Sequence, residues 1–216
     1  MWILNTILNI LFPVNCISCG KSNEDLCPEC INTFPEAERE TLPWVSPLYD
    51  YRHPPIKKSI WLLKYKSKIR FANVYASLMY DRMLEELAEL AMFENFHEAI
   101  LIPIPLSRKR YKERGYNQAE LICKQLVKLD EGNNFKLARN LLIKNKETVQ
   151  QARIKNRQER LKNLVGSFSV KNPQVIKNQN IILIDDVTTT GATLKEARSV
   201  LRKAGARKVI AFTVAH

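Results

Sequence analysis

The stretch Ile181-Ile182-Leu183-Ile184-Asp185-Asp186-Val187-Thr188-Thr189-Thr190-Gly191-Ala192-Thr193 decides the fold. A strand with one wet face alternates apolar and polar residues. Four large apolar residues in succession instead mark a strand buried on both sides, as in a parallel sheet. Two carboxylates end it, and a hydroxyl-rich turn with one glycine opens a helix over Ala192 to Ala204, stopped by Gly205. A second apolar run, Lys208 to Val214, completes a strand–helix–strand unit that is expected to be right-handed. The class is therefore α/β with a mostly parallel sheet flanked by helices.

The same stretch carries chemistry. Side chains at the carboxyl end of a parallel strand face the crevice where open α/β sheets bind ligands. Asp185 and Asp186 can accept hydrogen bonds there from vicinal hydroxyls. The turn Thr188 to Thr193 offers backbone N–H groups, Thr hydroxyls and a helix N-terminus, which together suit an anion. A sugar phosphate satisfies both halves at once. Two other readings fit less of the pattern: a buried acidic pair that only caps the helix, and a phospho-acceptor aspartate, for which no further acidic cluster and post-strand Lys are in place.

Working outward, Pro54-Pro55 opens a basic helix through Trp61 and Lys64, and a longer helix covers 71–93. Ala99 to Ile102 is a second buried strand, ending at Pro103, and Gly115 to Leu129 reads as helix. Residues 144–163 are polar, rich in Gln, Arg and Lys, and read as a mobile loop leading into a helix. The 216 residues suffice for one core with a small appended module, expected as 1–50 and 51–216. No G-x-G-x-x-G occurs, which argues against a Rossmann dinucleotide site, and no apolar run is long enough to span a membrane. Residues 1–50 hold two basic and seven acidic side chains, so the net charge of +12 leaves +17 on the remainder. A body this basic suits phosphates or nucleic acid, although a soluble basic protein need bind neither.

Four of the five cysteines form Cys16-x-x-Cys19 and Cys27-x-x-Cys30. Two such turns aim four thiolates at one centre, the arrangement of a closed, structural zinc site. Gly20 and Pro28 suit the tight turns, while Cys123 stands alone and reads as a core residue. Ile3, Leu4, Ile7, Leu8, Leu11 and Phe12 recur at helical spacing, the pattern of an amphipathic helix. No Lys or Arg precedes this run and no small-x-small site follows it, so a cytoplasmic location with reduced or metal-bound thiols is expected.

The segment from Ile181 to Thr193 resembles the phosphoribosyl pyrophosphate (PRPP) signature of type I phosphoribosyltransferases. Further pieces extend the likeness along the chain: Phe12-Pro13, the cysteine knuckle, Leu63-Lys64-Tyr65, Pro103-Ile104-Pro105-Leu106-Ser107, Arg110, Arg114-Gly115-Tyr116-Asn117-Gln118-Ala119, Gln151, Arg160, Asn163 and Gly166-Ser167-Phe168. Together they resemble the ComF family of competence-associated, phosphoribosyltransferase-like proteins.

That resemblance implies a type I phosphoribosyltransferase-like fold with an N-terminal zinc module. It implies that Asp185 and Asp186 bind the ribose hydroxyls and carry any catalysis, and that Thr188 to Thr193, including Thr189, Thr190, Gly191 and Ala192, cradle the 5′-phosphate beside Val187. Pro103 to Ser107 would be the pyrophosphate loop, and 146–163 the loop that closes over the ligand. Mg²⁺ usually accompanies PRPP, and the cations of 108–114 could screen its charge. Thr189 stands where enzymes acting on 6-oxopurines resemble one another in placing an acid, and the chain ends at His216 without a C-terminal hood, so no acceptor base is read. Two functions remain open. One is phosphoribosyl transfer to an unidentified acceptor. The other is a PRPP-binding accessory protein for DNA uptake, working with single-stranded DNA or the uptake machinery, with Lys64, Lys66, Arg110, Arg114, Arg157 and Arg160 as candidate DNA contacts. Trp61, Tyr65, Phe71 and Tyr75 could stack on bases or fill the core.

Overall fold

A computed structural model of the chain describes residues 14–38, 42–132, 134–145 and 166–216. Val45–Tyr49 (β1), Ala99–Pro103 (β2), Phe135–Leu137 (β3), Asn180–Val187 (β6) and Lys208–Ala215 (β7) form one sheet in the order β1-β7-β6-β2-β3, every neighbouring pair parallel. Leu142–Lys144 (β4) and Phe168–Val170 (β5) pair antiparallel as a separate hairpin. The helices are Pro28–Ile31 (α1), Pro54–Tyr65 (α2), Arg70–Glu94 (α3), Arg108–Arg114 (α4), Gln118–Leu129 (α5) and Ala192–Lys203 (α6). Among the described residues, no helix is long and apolar enough to cross a membrane.

The continuous apolar runs in β6 and β7 exist because the sheet is covered on both faces. Successive strand residues point to opposite sides. Ile182, Ile184, Ile210 and Phe212 therefore pack with α2, α3 and α5, through Ile60, Leu63, Met79 and Leu126 among others. Ile181, Leu183, Val209 and Ala211 pack with Leu194 and Leu201 of α6 and with Leu142 and Phe168 of the hairpin. Fully burying each such side chain contributes roughly 1.5–3 kcal/mol.

The strands and helices expected over 54–64, 71–93, 99–102, 181–184, 192–204 and 208–214 all form. The helix expected from Gly115 begins instead at Gln118, because Gly115 closes α4 in the left-handed region at φ 79 and the Asn117 side chain caps the next helix through Ala119 N. The Val45–Tyr49 strand lies before the boundary expected at residue 50, yet it pairs with β7, so the sheet takes in part of the first fifty residues. Of the four aromatics for which stacking and core filling were both open, Phe71 and Tyr75 are core residues, 1% and 0% exposed, whereas Trp61 and Tyr65 face solvent. Cys123 is buried as expected. The N-terminal helix expected over 1–12 lies outside the described residues, as does the loop expected over 144–163 except at its start, where Lys144 is corrected to the last residue of β4.

Candidate functional site

β2 and β6 are neighbours, with Pro103 opposite Ile184. The chain leaving β2 runs through α4 and α5 to β3 at one edge, and the chain leaving β6 runs through α6 to β7 on the other side. Strand order reverses between them, and such a reversal opens a crevice beyond the carboxyl ends. Pro103 to Ser107 and Asp185 to Thr193 thus meet at one place, pinned by Ile104 N donating to Ile184 O at 2.9 Å.

At the end of β6, Asp186 is buried and its Oδ1 lies 2.8 Å from Lys64 Nζ, with both side chains largely covered. Asp185 Oδ1 accepts from Asp186 N at 2.8 Å. Burial, and then the charge of Asp186, push the Asp185 carboxyl up to about 7, against the pull of Lys64, the Asp186 N–H and Lys144. Two adjacent carboxylates in a covered site resist holding two negative charges. Lys64 supplies one counter-charge, and hydroxyl donors from a ligand would favour the second.

The following turn is built for close approach. Thr188 is buried and donates its N–H to Ala215 O at 3.0 Å. Gly191 begins α6 at φ 67, and a β-carbon there would collide with Leu42. Thr190 Oγ1 is buried without a hydrogen-bond partner among the described residues, a costly state unless something polar meets it. Thr189 is exposed, Val187 and Thr193 are half-buried, and Ala192 packs at the helix start. Glu196 of α6 accepts from Gly166 N at 2.7 Å, and Asn145 N donates to Ser167 O at 2.8 Å beyond the end of the hairpin.

Three consecutive residues of α2 converge on this region. Leu63 O accepts from the Tyr116 hydroxyl, Lys64 meets Asp186, and Arg114 lies over the Tyr65 ring at 5.1 Å while donating to Gln118 Oε1 at 2.9 Å. Asn117 Nδ2 donates to Ile104 O at 2.9 Å, which fixes the loop after β2. Lys64 was expected on a nucleic-acid surface, but its ammonium is drawn inward by Asp186. No spacing rule could have paired residues so far apart. Of the other expected DNA contacts, Lys66 lies over Trp61 at 5.4 Å, Arg110 is half-buried, and Arg157 and Arg160 lie outside the described residues. A cleft of about 630 Å³ runs between the Pro105–Leu106 backbone and the hairpin, and Arg108, Arg139, Lys144 and Lys171 line it without an acid. Arg139, Lys144 and Lys171 had no signal in sequence beyond their charge.

The four knuckle cysteines also come together. Their Sγ atoms all lie within 4.8 Å of one another, and Cys19 and Cys27 are 3.6 Å apart. A tetrahedron of sulfurs about 2.3 Å from a central zinc has edges of about 3.8 Å, so the donor set fits a metal ion. Gly20, at φ 83, lets the first turn close, with Gly20 N donating to Cys16 O at 2.8 Å. Burial alone would raise the Cys16 thiol, but backbone N–H groups of Cys19 and Cys27 outweigh it and lower the thiol to about 6.

Comparison with known proteins agrees with this geometry. The model of the phosphoribosyl transferase domain matches residues 134–216, which include β6, the acid pair and α6. Competence protein F of Haemophilus influenzae is 29% identical over 88% of this chain and 81% of its own. Competence protein ComFC of Bacillus subtilis is 40% identical over 53% of this chain and 43% of its own, and DNA utilization protein YhgH of Escherichia coli is 24% identical over 90% and 85%. Over most of its length the chain is similar to competence proteins of the ComF kind, and its C-terminal part matches the phosphoribosyl transferase domain.

Proposed function

We propose that the crevice between β2 and β6 binds PRPP, accompanied by Mg²⁺, in a cytoplasmic protein that serves DNA uptake. The observation that carries this reading is the placement of the acid pair beside a turn whose buried Thr190 hydroxyl lacks a partner among the described residues. Asp185 and Asp186 accept hydrogen bonds from the ribose hydroxyls. Backbone N–H groups and hydroxyls from Thr188 to Thr193 hold the 5′-phosphate at the α6 N-terminus. Pro103 to Ser107, with the adjoining cationic cleft, takes the pyrophosphate. The cysteine cluster of the first fifty residues holds a structural zinc, since all four donors come from protein. The uptake role rests on the names of the relatives, two of them competence proteins and one a DNA utilization protein.

Transfer to an acceptor would pass through an oxocarbenium-like centre at the ribose, which carboxylates stabilise. One observation favours the alternative, a non-catalytic PRPP-dependent protein acting on single-stranded DNA. Lys64 already neutralises Asp186 and leaves less negative charge for that centre. Calorimetric titration with PRPP and Mg²⁺, with and without a short single strand, tests the reading. Saturable binding supports it, and heats equal to those of buffer refute it. Pyrophosphate release on adding candidate acceptors would restore the transferase.

A further inference from the structure

We propose that Trp61 and Tyr65 of α2 form a stacking platform for the unpaired bases of single-stranded DNA, with Lys66, Arg114 and the neighbouring cations holding its phosphates. The inference rests on the DNA-handling reading above and assigns it a surface. Four aromatics lie in or beside the basic tract from Lys57 to Arg70, and the fold sorts them. Phe71 and Tyr75 enter the core, and Trp61 and Tyr65 remain 46% and 55% exposed. One helical turn apart, their ring centroids lie 6.2 Å from each other. Each ring also carries a cation, Lys66 Nζ 5.4 Å from the Trp61 centroid and the Arg114 guanidinium 5.1 Å from that of Tyr65.

Exposed rings are common, so the charge around these two decides the matter. From Tyr51 to Tyr80 the chain has no acidic residue, and Lys57, Lys58, Lys66 and Lys68 are all exposed. Arg114 brings in α4, whose seven residues hold five cations and one acid, Glu113, and whose Tyr111 is 50% exposed. A second exposed apolar pair, Met92 and Phe93, shows the contrast. It lies at the far end of α3 beside Glu94, on a helix that also carries Glu85, Glu86 and Glu89, and the cations that reach it, Arg207 and Lys208, are engaged by Glu94 itself. Aromatic faces accept any base, and cations beside them track the backbone, which is the combination that single strands require. The platform adjoins the crevice, because Lys64, the residue before Tyr65 in α2, pairs with Asp186.

The test is fluorescence anisotropy with labelled oligothymidylate of about 12 nucleotides, beside an abasic strand of equal length and charge. Wild type should bind the thymidylate at least several-fold more tightly than the abasic strand. Trp61→Ala with Tyr65→Ala should lose about tenfold per ring and bind both strands alike. Trp61→Phe with Tyr65→Phe should recover most of the loss, and circular dichroism should be unchanged in every variant. Equal binding of the two strands by wild type, or undiminished thymidylate binding by the alanine variant, overturns the platform while the DNA-handling reading stands. Failure of wild type to bind any strand, with or without PRPP and Mg²⁺, ends both. If the alanine variant loses affinity for phosphatidylglycerol vesicles and none for DNA, the surface belongs to a membrane and the proposal is wrong.

Discussion

The protein holds two clusters of groups that repel when ionised, and it balances them differently. At the knuckle, four thiols lie within 4.8 Å of one another, in a segment whose buried apolar side chains among the described residues are few, chiefly Leu26 and Phe34 beside Cys16 and Cys27. At the crevice, two adjacent carboxylates sit on a strand packed on both faces, and the chain supplies its own counter-charge through Lys64. The first cluster offers four donors to a cation from outside, and a metal held there would add to the folding of a segment that otherwise rests on a few contacts with the main core. The second is carried by a core large enough to tolerate it, which leaves the carboxylates free to serve a ligand. A cluster proposed to hold structure and a cluster proposed to serve a ligand thus differ in where their counter-charge comes from.

The sharpest way to break this contrast is to remove the metal. Chelation, or Cys16→Ser, should abolish hydrogen-exchange protection at the knuckle amides, such as Gly20 N and Ile31 N, while the β6 and β7 amides stay protected. Simultaneous loss of protection in both would mean that the two regions unfold as one. Next in size, Asp185→Asn with Asp186→Asn should lower PRPP affinity by about 100-fold or more, since hydrogen bonds to a charged acceptor are worth roughly 1.5–3 kcal/mol each. Circular dichroism should not change, because no apolar contact is lost. Wild-type affinity in that variant would remove the acid pair from the site.

Much of this was legible in sequence because the signals are local. Ile181 to Ile184, the acid pair and the threonine turn are contiguous, and the cysteine spacing encodes its own turns. What sequence hid is long-range or short. α4 has seven mostly charged residues and no apolar stripe, so only its Ser107 cap, accepting from Arg110 N, announces it. β3, β4 and β5 have three residues each, too few to show a period. The Lys64–Asp186 pair joins residues on α2 and β6 that only the packed sheet brings together. Likewise, α3 is amphipathic around Phe71 and Tyr75, but whether an aromatic beside lysines faces in or out depends on a phase that composition does not give.

A smaller effect concerns pH. Asp185, raised to about 7 in the folded chain, titrates near 4 when unfolded, so the native state binds the extra proton between those values. Its contribution therefore lowers stability as pH rises from about 4 to about 7 and then levels off. Asp185→Asn removes that slope and should be more stable than wild type at pH 8, on the order of a few kcal/mol, with the advantage shrinking toward pH 5. Urea unfolding of both zinc-loaded proteins at the two pH values measures it as a difference, which cancels the thiol contribution. PRPP affinity of wild type should rise over the same interval, because only the carboxylate accepts from both hydroxyls.

The smallest expected effect tests whether Lys64 stands to the carboxylates as the metal stands to the thiols. Lys64→Met keeps an unbranched apolar stem at this position and removes the charge. Asp186 is then left covered beside Asp185 with no cation at 2.8 Å. Breaking a fully buried pair costs more, but partial exposure of this one reduces the expected loss to about 1–2 kcal/mol at pH 8. The loss should vanish in the Asp186→Asn background, which a double-mutant cycle reads directly. The rise of PRPP affinity with pH should also move to higher pH, since one counter-charge fewer makes the pair harder to ionise. A variant with unaltered stability and an unaltered pH profile would show that the acid pair is balanced by solvent. The crevice would then lack the counter-charge that makes it comparable with the knuckle at all.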